Sequence, residues 1–230
     1  MSLDNRNMDC NNRIWLSSPH LGGYEVEYVD MAFKSNMISP MGGNVDGFEN
    51  DISSFLSNDE LFHVAALSSG TAALHLSLRL LNVGIGDVVM VQSFTFCGTT
   101  NPISYQGAEI VFIDSETDTL NICPVALRKA LLDYQGKSVK AIMPVHLYGM
   151  PSKMDEILSL SQEFGVPVIE DAAEALGSKF EDFYCGTFGL LSALSFNGNK
   201  IITTSGGGAL VSMREDLVIE ARFLATQARD

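Results

Sequence analysis

Positive charge is scarce in this sequence: 14 Lys and Arg stand against 28 Asp and Glu in 230 residues, a formal net charge of −14. Phosphate backbones select clustered Lys and Arg, so the balance argues against a general nucleic-acid or membrane-surface binder. A phosphorylated small ligand would need local donors instead. Cysteine is also sparse. Cys10, Cys97, Cys123 and Cys185 are scattered with no Cys-x-x-Cys pair, so neither a zinc site nor a disulfide framework is suggested, and reduced thiols in a cytosolic protein are the plain reading. No run approaches the ~18 consecutive apolar residues of a membrane span. The polar start, Met1 to Asn12 with Asp4, Arg6 and Asp9, leaves no room for the apolar core of a signal peptide. No repeat or low-complexity tract occurs. The expectation is a soluble, cytoplasmic protein.

What is present is enough for a sizeable core: 46% of residues are hydrophobic and 18% charged. After a polar segment, 1–14, the pattern over 15–230 reads as one large domain. Helical spacing runs from Tyr24 to Ser35 and again near Val45 to Leu56, before a first strand at His63 to Leu67. Units then alternate: helix 71–82, strand 88–92, helix 98–105, strand 109–113, helix 124–133, strand 139–145, helix 153–164, strand 166–170. Gly84-Ile85-Gly86-Asp87, Gly107 and Gly165 punctuate them. Short strands follow near Ala193 to Ser195 and Ala209 to Ser212, then a helix from Glu215 to Ala228. Such alternation predicts an α/β fold with three layers, helices covering both faces of a mostly parallel sheet.

Three pieces of chemistry stand in this frame. Lys200 lies between an apolar strand and the triple glycine Gly206-Gly207-Gly208, where a lysine amine could bond a carbonyl cofactor. Asp171 closes the apolar run Val166 to Glu170, which delivers a carboxylate to the carboxyl edge of a parallel sheet. There it could keep a pyridine nitrogen protonated. Ser68-Ser69-Gly70-Thr71-Ala72 opens an amphipathic helix whose free amides and dipole suit a phosphate, with the hydroxyls of Thr71 and Ser195 as further donors. Taken singly, each has a plainer use: a solvated surface lysine, an Asp helix cap, an ordinary Ser-Gly-Thr cap. Phe96 could be core, and His146 could line the site, although a strand-end histidine is more often satisfied by backbone.

The motifs SSGTAALHLSL (68–78), QSFTFCGTTNPI (92–103), PVHLYGMPSKMDEI (144–157), VIEDAAEALGS (168–178) and SFNGNKIITTSGGGALVS (195–212) together resemble the sugar aminotransferases of the DegT/DnrJ/EryC1/StrS family, in the family's order. The resemblance runs from about Trp15 onward and implies the large domain of a fold-type I pyridoxal phosphate enzyme. By that resemblance Lys200 bonds the cofactor and shuttles the proton, Asp171 pairs with the pyridine nitrogen and Phe96 stacks on the ring. Gly70, Thr71, Ala72 and Ser195 hold the phosphate. Glu174 falls where many relatives carry His or Gln, facing the cofactor's hydroxyl side.

The start Pro19-His20-Leu21-Gly22-Gly23 and the wording around Asp171 and Lys200 look most like enzymes that aminate C4 of UDP-4-keto-6-deoxy-N-acetylhexosamines. The implied reaction takes the amine from L-glutamate and gives it to a nucleotide-linked ketosugar, for surface-glycan or glycoprotein sugars. The family also implies a homodimer with shared active sites and a smaller C-terminal domain beyond Asp230. Relatives that dehydrate the sugar carry His at the lysine position, so Lys200 points to transamination. The other reading is a truncated or non-catalytic domain that folds and binds partner or cofactor without turnover.

Overall fold

A computed structural model describes residues 21–228. The 1–14 segment, Cys10, Pro19 and His20 lie outside these residues.

Two helices, α1 (Glu25–Lys34) and α2 (Gly43–Leu56), precede β1 (His63–Leu67). Alternation then runs α3 (Gly70–Leu80), β2 (Asp87–Gln92), α4 (Cys97–Tyr105), β3 (Glu109–Ile113), α5 (Pro124–Asp133), β4 (Ser138–Met143), α6 (Met154–Phe164) and β5 (Ile169–Asp171). The chain closes with β6 (Lys179–Phe180), β7 (Phe183–Tyr184), β8 (Leu191–Ser195), β9 (Gly208–Ser212) and α7 (Glu215–Ala225). Local chemistry sets several ends. Ser69 caps α3 by accepting from the Ala72 amide at 3.0 Å, Pro124 opens α5, and Gly165 ends α6 in the left-handed conformation at φ 68°.

The strands β3-β2-β4 and β5-β8-β9-β1 form two hydrogen-bonded groups. Parallel bridges Ile142–Val168 and Val145–Asp171 join β4 to β5, making one continuous surface. Within it β2 pairs in parallel with β3 and β4, and β5 with β8. Only β9 runs against its neighbours β8 and β1. The sheet is therefore mostly parallel, as the alternation predicts. The exception follows from the connection: loop 196–207 carries no crossover helix, and without one two adjacent strands pair antiparallel.

Side-chain alternation on the strands separates the layers. Val89 and Val91 of β2 pack with Ala73, Leu74 and Leu78 of α3, Ile103 of α4 and Val218 of α7. Between them Met90 points the other way, into a cluster with Leu127 of α5 and Met154, Ile157 and Leu160 of α6. Along β9, Leu210 joins the first cluster. Its neighbours Ala209 and Val211 meet Ile52 and Leu56 of α2 together with Phe196.

The free edge of β1 is plugged by an ion pair. Glu49 accepts from the Ala66 amide at 2.8 Å, and Arg222 donates to the Val64 carbonyl and to Glu49, each at 2.8 Å. These side chains take the outward-facing backbone groups that an open edge would offer to another strand.

The two-residue strands β6 and β7 and a 3₁₀ turn at Leu147–Gly149 are absent from the sequence expectation. Elements this short carry no readable hydrophobic period. Expected strand 166–170 narrows to Ile169–Asp171, so Asp171 lies inside the paired strand, opposite Ala193. No helix among the described residues is long and apolar enough to cross a membrane.

Candidate active site

Ligands of parallel α/β sheets bind outside the carboxyl ends of the strands, where the βα turns converge. The β1–α3 turn, the β2–α4 turn, the carboxyl end of β5 and the β8–β9 loop meet there.

Asp171 is buried on β5, 5% exposed, and its carboxylate has two donors: the Thr99 hydroxyl at 2.5 Å and the Ala173 amide at 3.1 Å. Thr99 in turn lies 2.7 Å from the Thr95 hydroxyl. Burial pushes the Asp171 pKa up, while Thr99, Ala173 and the charge of Lys200 oppose the rise. A carboxylate desolvated in this way is stabilised by a cation placed against it.

Lys200 sits in the β8–β9 loop, its amide donating to the Asn197 carbonyl at 2.9 Å. Its ammonium reaches Glu174 Oε1 at 3.0 Å, and the other oxygen, Oε2, accepts the Tyr148 amide at 2.9 Å. Lys200 is mostly covered, its side chain 14% exposed. Glu174 thus sits against Lys200 itself.

At the start of α3 the Ala72 amide is already taken by Ser69. Helix geometry leaves the amides of Gly70 and Thr71 without intrahelical partners, pointing from the positive end of the dipole. Two glycines make this turn possible. A Cβ on Gly208 would stand 2.2 Å from the Ser69 carbonyl carbon and 2.4 Å from the Gly70 nitrogen. A Cβ on Gly98 would stand 2.9 Å from both the Phe96 ring and the Thr71 hydroxyl, which places Phe96 and Thr71 around one small space. Ser195 lies against Gly70, where an added Cβ would come within 3.0 Å of the serine Cβ. Phe96 is 76% exposed, an aromatic face left open at the mouth of the site.

Gly70, Thr71, Phe96, Asp171, Glu174, Ser195 and Lys200 therefore converge from four segments, whereas Ala72 contributes a capped amide. Four residues beyond the sequence reading complete the arrangement. Thr99 and Thr95 were legible only as hydroxyls in SFTFCGTT, and Tyr148 acts through its backbone. Glu170 adjoins Asp171, and strand alternation turns its side chain to the opposite face. There, fully buried, it accepts from Gly186 at 2.8 Å, Phe188 at 2.7 Å, Gly189 at 2.6 Å and the His146 imidazole at 2.9 Å. His146 is fully buried, and one ring nitrogen is met by the Glu170 side chain rather than by backbone. Burial disfavours a charged imidazole, while Cys185 and Glu170 favour one. The Ser152 amide donating to Nδ1 at 3.1 Å decides for the neutral form with its proton on Nε2.

A helix N-terminus for an anion, an open aromatic face, a buried carboxylate that would welcome a cation and a covered lysine amine fit pyridoxal phosphate group by group. The fold is that of the fold-type I aminotransferases. The chain belongs to the DegT/DnrJ/EryC1/StrS aminotransferase family, whose profile matches residues 19–230.

EpsN of Bacillus subtilis (strain 168), assigned by name to the pyridoxal phosphate-dependent aminotransferases, is 53% identical over 220 residues, 95% of this chain and 56% of its own. GDP-perosamine synthase of Escherichia coli O157:H7 is 40% identical over 194 residues, 84% of this chain and 51% of its own. The crystal structure of the aminotransferase TlmJ from Streptoalloteichus hindustanus superposes with a TM-score of 0.83 at 34% identity, covering 93% of this chain and 57% of TlmJ. The chain spans about half the length of the curated relatives it matches.

Two predictions arise from this geometry. Gly208→Ala forces the first turn of α3 aside, because the blocking atoms are backbone. It is expected to cost about 1–3 kcal/mol in stability and to weaken pyridoxal phosphate binding about tenfold or more, measured by equilibrium dialysis. Asp171→Asn separates stability from binding. A carboxyl whose folded pKa is raised contributes stability that is full below its unfolded value near 3.8 and lost as pH rises through the folded value. Without cofactor, Asp171→Asn should therefore gain in urea midpoint over the parent as pH rises from 4 to 7, while its retention of pyridoxal phosphate falls.

Proposed function

We propose that this chain forms the cofactor-binding large domain of a sugar-nucleotide aminotransferase acting as a cytoplasmic homodimer, with residues 15–230 as one unit. The reaction is amino transfer from L-glutamate to a nucleotide-linked ketosugar, at C4 of a UDP-4-keto-6-deoxy-N-acetylhexosamine. The observation that carries the reading is the covered Lys200 ammonium, whose charge acts on the buried Asp171 carboxylate, together with the anion-ready terminus of α3. Family membership and relatives that include a GDP-perosamine synthase support a nucleotide sugar as acceptor.

Pyridoxal phosphate, when bound, supplies an electron sink for the carbon that loses its proton. Each residue then has one task. The Gly70 and Thr71 amides, with the Thr71 and Ser195 hydroxyls, would hold the phosphate. Phe96 would cover the ring face and exclude water from it. Asp171, oriented by Thr99 and Ala173, would keep a proton on the ring nitrogen. Lys200 Nζ would bond the cofactor and, when released, hold and return the proton moved in the transfer.

The test is a spectrum followed by a substrate panel. Purified protein with pyridoxal phosphate should show a visible band that L-glutamate converts to the pyridoxamine form. That form should then be reoxidised by a UDP-4-keto-6-deoxy-N-acetylhexosamine faster than by GDP-linked ketosugars. Faster reoxidation by a GDP sugar would move the substrate assignment, and no response to any amino donor would remove the aminotransferase assignment for this chain.

A further inference from the structure

Glu174 faces two donors at once: the Lys200 ammonium on Oε1 at 3.0 Å and the Tyr148 amide on Oε2 at 2.9 Å. Only a group that accepts on both sides can satisfy this arrangement. A glutamine would turn its NH₂ toward one donor or the other, and a neutral imidazole accepts at a single nitrogen.

The Tyr148 amide is held in place at some conformational cost. Tyr148 has φ 52° and ψ 26°, a left-handed conformation uncommon for a residue with a side chain. The turn around it is clamped on both sides. Buried Asn121 accepts from the Leu147 amide at 3.1 Å and donates to the Met150 carbonyl at 2.8 Å. The His146 carbonyl accepts from Gly149 at 3.1 Å. Gly149 must itself be glycine: at φ 84° an added Cβ would sit 3.1 Å from the Glu174 carbonyl oxygen. Strain of this kind persists where the surroundings over-determine it, and here it aims one N–H at one carboxylate oxygen.

We propose that Glu174 is a positioning residue for Lys200: its carboxylate, fixed by the Tyr148 amide, is the resting partner that holds the lysine side chain in place whenever it is not bonded to cofactor. This rests on the assignment of Lys200 as the cofactor lysine. The other charged group facing the pair is Asp171 from β5, with His146 behind it and Glu170 on the far side of that strand. In this role the ion pair restrains the amine before the cofactor arrives and receives it when the amino donor displaces it.

The test compares the parent with Glu174→Gln, which keeps size and shape, and with Glu174→Asp, which keeps charge but cannot span both donors. Trinitrobenzenesulfonate, with no cofactor present, reports the nucleophilicity of Lys200 by peptide mass mapping. Pyridoxal phosphate followed by borohydride reports bonding to it: Nζ loses a proton and adds to the aldehyde carbon, water leaves, and hydride reduces the resulting C=N bond. Glu174→Gln should raise both rates severalfold at pH 7, because the amine loses the acceptor that restrains it. Glu174→Asp should fall between the two. Equal rates at pH 7 for parent and Glu174→Gln, with both proteins folded by circular dichroism, would overturn the proposal. Faster trinitrophenylation of Glu174→Gln with no pyridoxal phosphate labelling in either protein would uphold the ion pair and remove the cofactor assignment instead.

Discussion

Lys200→Ala is expected to abolish the borohydride-trapped pyridoxal phosphate on this chain and to reduce the glutamate half-reaction by at least ~10²–10⁴-fold. The magnitude follows from the task of the amine. A positioned side chain that moves a proton contributes on that scale, and the covalent attachment is lost in addition. The geometry makes the loss hard to replace. Lys200 reaches Glu174 from the β8–β9 loop, and its charge helps to oppose the burial cost of Asp171. The fold should survive the change, because Lys200 is held by one side-chain partner and packs in no apolar cluster. Trapping at Lys200 is read by peptide mass, so a band that persists in Lys200→Ala would assign the nucleophile to another amine.

Glu170→Ala is expected to be the most destabilising substitution at the site, by about 3–5 kcal/mol, without removing any group that would touch the cofactor. The side chain is completely buried and takes three backbone amides and the His146 imidazole. Removing a buried acceptor leaves its donors desolvated and unmatched, which costs far more than the net worth of each bond. The loss is read as a fall in urea midpoint. Asp171 should suffer as well, since it follows Glu170 on β5. Glu170→Gln should lose less than Glu170→Ala, because it keeps one acceptor; equal losses would mean that packing rather than hydrogen bonding holds loop 186–189.

The apolar spacing at 88–92, 109–113 and 124–133 matches β2, β3 and α5 within a residue. The apolar residues of β2 and α5 are buried in the core, so the period of these elements is written directly into residue types. Turn chemistry was as legible: Gly165 ends α6 where expected because no other residue takes φ 68° without strain. Lys200 and Asp171 could be singled out because their chemistry is rare in an apolar setting.

Partners were another matter. Thr99 lies 72 residues before the carboxylate it serves, and Tyr148 and Glu174 are 26 residues apart. Such pairs are set by which strands lie side by side and which loops leave the same edge, quantities that no local period encodes. The Tyr148 contact runs through the backbone, so residue type holds no signal for it at all. The sequence by itself determined the layered α/β fold, the family and the residue types of the site. The tertiary structure alone decided that β9 runs antiparallel, that Ala72 is capped, that Glu170 faces away from Asp171 into a closed network, and that Glu174 holds Lys200. Hydrogen bonds across the sheet satisfy whatever donors the topology brings within about 3 Å, and only the folded chain has a topology.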